Sequence, residues 1–80
     1  MAKQEVILYS QPGWYFCDIE KAWLSKHSVD FVNKNIQEDM NALKELQELN
    51  VFSTPATIIN GELVVGFDTQ RLGKLLEISE

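Results

Sequence analysis

An α/β/α sandwich around a four-stranded mixed sheet, in the order β-α-β-α-β-β-α, is the fold class this sequence predicts. Three observations carry it. Val6-Ile7-Leu8-Tyr9 is a contiguous apolar run of strand length, the pattern of a strand covered on both faces. A helical stretch then separates it from a second short apolar segment, so the two leading strands lie parallel across a helical connection. Near the end, Asn60-Gly61 sits between two apolar runs, the strongest short hairpin signal because both residues accept positive φ. The hairpin adds antiparallel strands to the same sheet.

Each element follows from local pattern. The first strand spans Glu5 to Ser10, and Gln11-Pro12-Gly13 breaks it. From Tyr15 to Ser28 the spacing predicts a helix, with Phe16, Ile19, Trp23 and Leu24, plus Cys17 and Ala22, at steps of three and four. Val29 to Asn35 holds a second strand around Phe31-Val32. A second helix runs from Asp39 to Leu49, with Met40, Leu43, Leu46 and Leu49 on one side and Glu38 and Asp39 suiting its N-terminal end. Val51-Phe52-Ser53-Thr54-Pro55 is a loop. Strands Ala56 to Ile59 and Glu62 to Phe67 flank the Asn-Gly turn. The last helix follows Asp68, a plausible N-cap, with Leu72, Leu75, Leu76 and Ser79 in register and Gly73 as its weak point.

Composition narrows the function. One domain over residues 1–80 is expected, burying roughly 60–65% of its unfolded surface. Its 45% apolar content is enough for a core without disulfide or metal staples. The single cysteine allows no internal disulfide, which favours a reducing, cytoplasmic setting. Met1-Ala2-Lys3-Gln4-Glu5 leads straight into a strand without the pattern of a signal peptide, and no apolar run approaches a membrane span. Seven Lys and Arg against twelve Asp and Glu give a net charge of −5 with no basic cluster, which argues against nucleic acid.

The chemistry concentrates in Pro12-Gly13-Trp14-Tyr15-Phe16-Cys17, a loop feeding a helix N-terminus. Free N–H groups and the positive end of the helix dipole stabilise a thiolate at such a place. The dithiol pattern there is Cys-x-x-Cys, with the first cysteine as nucleophile. In this chain Cys17 fills the second position and Trp14 the first.

The chain resembles the glutaredoxins, small redoxins of thioredoxin-like fold. The matching residues are Val6 through Gly13, Cys17, Lys21-Ala22-Trp23-Leu24, Phe52 through Thr57, Asn60-Gly61 and Val64-Val65-Gly66-Phe67-Asp68. The resemblance implies thiol–disulfide oxidoreduction in cell redox homeostasis, coupled to glutathione as co-substrate or to a reductase. It implies no bound cofactor, and its partners are glutathione or a disulfide-bearing protein or peptide. It places the nucleophile at position 14, where indole cannot attack a disulfide. Activity is therefore expected to be lost or strongly reduced. Tyr15-Phe16 replaces the usual Pro-Tyr or Pro-Pro. Thr54-Pro55 matches the cis-proline loop that pairs with an extended substrate. Gly66, Phe67 and Asp68 stand where glutathione-using members have a Gly-Gly stretch and acidic residues, with Phe67 in place of the second glycine. Tyr15, Thr54, Pro55, Gly66, Phe67 and Asp68 are thus the expected substrate-binding set.

Alternatives stay open. Cys17 is a working thiol or a sheltered small hydrophobe, and as one leftover thiol it could link two copies of an otherwise monomeric chain. Trp14 is a core residue, a partner-binding anchor beside Tyr15 and Phe16, a lid over the cis-proline groove, or a substituted or recoded cysteine or selenocysteine. A redox-inactive module binding a peptide or thiol through that groove and the aromatics is the competing function. Asp68 serves as cap, ligand residue or both. His27 has no second His or Cys at ligand spacing, and the cysteine that iron–sulfur members use is absent, so no metal is expected. Glu38, Asp39, Glu45 and Glu48 read as a solvated helix face.

Overall fold

The computed structural model describes residues 4–78; Ser79 and the leading Met1-Ala2-Lys3 lie outside them. Strands β1 (Val6–Ser10), β2 (Val32–Asn35), β3 (Ala56–Ile59) and β4 (Glu62–Val65) form one sheet in the order β2-β1-β3-β4. β1 and β2 are parallel, while β1–β3 and β3–β4 are antiparallel. Helices α1 (Tyr15–Lys26), α2 (Met40–Glu48) and α3 (Thr69–Leu76) complete the predicted element order.

Alternation along β1 explains why it reads as an unbroken apolar run. Val6 and Leu8 join Leu24, Ile59, Val64, Leu72 and Leu76 on the side of α1 and α3. Tyr9 points the other way and joins Ala42, Leu46, Val51 and Ala56 on the α2 side, with Ile7 packed against them. Both faces of the strand are covered, and its small buried hydroxyl residue, Ser10, donates to Asn33 Oδ1 at 2.7 Å. The hairpin forms as predicted, with Asn60 at φ 49° and Gly61 at φ 89°.

Several boundaries and faces differ from the sequence expectation. β1 begins at Val6 and β4 ends at Val65. β2 starts only at Val32, while Phe31 packs into the α1/α3 core before the strand; Val32, on an edge strand, is 56% exposed. On α1 the buried stripe is Cys17, Glu20 and Leu24, and Phe16 and Ala22 face outward. Phe16 precedes Cys17 by one residue and so lies about 100° around the helix from it. On α2 the buried pair is Ala42 and Leu46, leaving Met40 and Leu49 exposed.

All three helices end by one device. Ser28, Asn50 and Glu77 adopt φ of 58°, 59° and 58°. The next N–H donates to the carbonyl five residues back: Val29 to Leu24 at 2.9 Å, Val51 to Leu46 at 2.9 Å, and Ile78 to Gly73 at 2.8 Å. Each of these apolar residues packs into a core, the hydrophobic contact that accompanies a Schellman cap. That is why α1 stops at Lys26, short of the predicted Ser28. Glycine would occupy the left-handed position with less strain. Ser28→Gly is expected to raise unfolding free energy by about 0.5–1 kcal/mol in urea denaturation. An unchanged midpoint would show that Ser28 carries no such strain.

Candidate functional site

The end of β1 delivers the chain into a turn closed by the Trp14 N–H donating to the Gln11 carbonyl at 3.4 Å. Trp14 is the N-cap of α1, extended at φ −88° and ψ 122°. Its carbonyl accepts from the N–H of Cys17 at 3.1 Å and of Asp18 at 3.2 Å, but its side chain caps nothing. The first-turn N–H groups of Tyr15 and Phe16 receive no acceptor from the cap, as an indole offers none.

Opposite lies the Thr54–Pro55 peptide bond, which is cis, as the family resemblance implied. The Thr54 hydroxyl donates to Gln11 Oε1 at 3.0 Å, tying this segment to the turn before Trp14. The Gly66 N–H donates to the Pro55 carbonyl at 2.8 Å. Gly66 does so at φ +82°, a left-handed conformation that a side chain would strain. Asp68 caps α3, its carboxylate accepting from the Arg71 N–H at 3.2 Å. One chain of hydrogen bonds thus links the Trp14 turn, Thr54-Pro55 and Gly66. Gln11, read from sequence as a strand breaker within the family-matching run and given no site role, is a structural member of this site.

Burial divides the predicted residues. Cys17 is a free thiol with no solvent exposure. Trp14, Tyr15 and Phe16 are 54%, 70% and 56% exposed, and Phe52 beside Thr54 is 80% exposed. Tyr15 and Phe16 touch edge to face, with centroids 5.2 Å apart. The Phe67 ring, by contrast, packs against the α1/α3 core and lies edge-on to Trp23 at 6.1 Å.

The glutaredoxin family model matches residues 6–64. The chain is a member of the glutaredoxin family. It is 34% identical, over 71 residues, to an uncharacterized glutaredoxin-like 8.6 kDa protein in the rubredoxin operon of Clostridium pasteurianum, covering 88% of this chain and 95% of that one. Among solved structures, a mutant of the thioredoxin-like protein BC3987 superposes with a TM-score of 0.89 at 32% identity, over 99% of this chain and 100% of that one. The glutaredoxin-like NrdH-redoxin from Escherichia coli shares the fold, with a TM-score of 0.80 at 16% identity over 95% and 96% of the two chains. The four-stranded mixed sheet with three helices is thioredoxin-like, as predicted.

This glutaredoxin also buries a carboxyl group that sequence reading missed. Glu20 follows Cys17 by three residues on the inward face of α1 and has no solvent exposure. Glu20 Oε2 accepts from the Thr57 hydroxyl of β3, while Oε1 has no hydrogen-bond partner among the described residues. Burial raises its pKa from 4.5 to about 7, with the Thr57 bond opposing only part of the shift. Glu45 likewise is not simply a solvated face residue. It accepts from the Tyr9 hydroxyl at 2.6 Å and from Lys34 Nζ at 3.0 Å. These bonds hold its carboxyl below the usual range, whereas burial and Glu45 push the Tyr9 phenol up. His27 packs edge-on against Trp23 with centroids 4.7 Å apart. Among the described residues no three His, Cys, Asp or Glu side chains group to hold a metal, and no helix is long and apolar enough to cross a membrane.

Proposed function

We propose that this glutaredoxin is a thiol–disulfide oxidoreductase scaffold whose own exchange activity is lost or strongly reduced, because Trp14 holds the nucleophile position. One observation carries the reading: the residue at the helix N-terminus is a half-exposed indole, while the chain's single thiol, Cys17, is fully buried. A disulfide cannot reach Cys17 without opening α1, and indole cannot attack one. The family supports glutathione or a protein disulfide as the partner, with Tyr15, Thr54, Pro55, Gly66 and Asp68 as the binding edge. A monomeric, single-domain protein of a reducing cytoplasm, without bound cofactor, fits the lone sheltered thiol. Mixed-disulfide turnover by this chain beside its Trp14→Cys variant is the test. Turnover confined to the variant supports the reading, and turnover by neither removes it.

A second reading is favoured by the four exposed aromatics: a redox-inactive module that binds a peptide or thiol. It predicts that Trp14→Ala weakens ligand binding by about 1–3 kcal/mol in calorimetry while Cys17→Ser leaves it intact. Equal affinities of Trp14→Ala and the parent would sink it.

A further inference from the structure

Beside Thr54, on the α2 side of the sheet, a cavity of about 210 Å³ opens between α2 and the loop that leads to the cis-proline. Its apolar walls are Ile36, Leu43, Leu46 and Val51, and Phe52 lines it while remaining 80% exposed. The neutral polar residues Gln11, Gln47, Ser53 and Thr54 line it too, and Gln11 with Thr54 makes the cavity continuous with the hydrogen-bonded turn that carries Trp14. None of its lining side chains is ionisable. The Thr54 main-chain N–H and carbonyl make no hydrogen bond among the described residues. They remain available to a segment laid alongside, as in strand addition.

Charge decides what fits. Glutathione carries two carboxylates, and a carboxylate entering this cavity would lose water without meeting a cation. The chain as a whole carries −5 and repels it further. A branched aliphatic side chain has no charge to desolvate on entry and gains contact with four apolar walls. We infer that this cavity is a specificity pocket that takes a branched aliphatic side chain of an extended protein segment running along Thr54-Pro55, and that it disfavours glutathione. The inference rests on the proposed reading of Thr54-Pro55 as the substrate-binding edge. It makes the substrate a protein rather than a small thiol.

The test uses the chain as it is, labelled at its methyl groups for NMR, and three probes. These are the peptide acetyl-Gly-Leu-Ser-Leu-Gly-amide, its counterpart with Asp in place of both Leu, and reduced glutathione. Serine stands in for the substrate cysteine, so no disulfide forms. The Leu peptide is expected to shift the methyls of Ile36, Leu43 and Val51 and to bind at least about tenfold tighter than the Asp peptide. Glutathione is expected to leave those methyls unmoved. Leu43 is a half-buried wall residue that can carry a charge toward solvent, and Leu43→Lys should reverse the preference between the peptides. Equal binding of the two peptides, no methyl shift with the Leu peptide, or glutathione shifting the same methyls would overturn the inference. The Trp14→Cys assay separates the two ideas. Leu-selective binding without turnover by that variant leaves the pocket standing and removes the oxidoreductase reading, and turnover without Leu selectivity does the reverse.

Discussion

Glu20→Gln is expected to flatten the fall of stability between pH 4.5 and 7 and to leave the protein more stable than its parent at pH 8. Glu20 has a pKa of about 7 in the fold against 4.5 as an ordinary glutamate. Below pH 4.5 both states hold the proton and the group contributes no slope. Between the two values the unfolded chain releases its proton first, so the native state binds more protons and stability drops as pH rises. The loss is complete once the native carboxyl has ionised, and it amounts to about 3 kcal/mol for a shift of this size. The cause is local: the side chain is fully buried, and among the described residues its only hydrogen-bond partner is the Thr57 hydroxyl. The variant keeps the shape and the Thr57 bond but cannot ionise. Urea denaturation of both proteins from pH 4.5 to 8.5 reads the difference directly, and groups common to both cancel. Parallel pH profiles would show that Glu20 reaches a cation or solvent when it ionises.

Trp14→Cys is expected to raise reduction of a peptide–glutathione mixed disulfide by on the order of 10³-fold or more, the scale on which losing a nucleophile disables an enzyme. The installed sulfur would sit at the N-cap of a twelve-residue helix, where the Tyr15 and Phe16 N–H groups lack a cap acceptor. Those donors and the helix dipole favour the thiolate. The thiolate attacks one sulfur of the mixed disulfide, forming a new S–S bond while the other sulfur leaves as thiolate and takes a proton from water. A second thiol, glutathione in the assay, then attacks the enzyme-bound disulfide and regenerates the cysteine. Over a cycle the peptide sulfur is reduced to a thiol and one glutathione thiol is oxidised, pairing with the glutathione sulfur of the substrate as glutathione disulfide. Gln11, neutral and bonded to Thr54, supplies no cation to the thiolate. A variant as silent as the parent would show that the loop Trp14-Tyr15-Phe16 no longer presents position 14 to a disulfide. The binding-module reading would then lead.

The fold was largely legible because its signals are contiguous. An unbroken apolar β1, Asn60-Gly61, and Asp68 before α3 each act through residues within a few positions, and all three formed as read. Helix ends were less legible, since the chain turns into the left-handed region at Ser28, Asn50 and Glu77 without a glycine to announce it. The inward face of α1 was misread because Phe16 has the composition of a core residue and Glu20 that of a surface one, yet their burial is inverted. Glu20 is sheltered by a β3 residue 37 positions away, and Gln11 is held by a Thr54 43 positions away. No local pattern encodes either.

Sequence alone determined the family, the element order and the want of a sulfur at position 14. These rest on residue identity and on backbone preferences that neighbours in the chain set between themselves. Only the tertiary structure decided that Cys17 is out of reach, that a carboxyl is stranded beneath α1, and that an uncharged pocket adjoins Thr54. Burial and partnership are set by segments that meet only when the sheet closes, so their energies are invisible to any window of sequence.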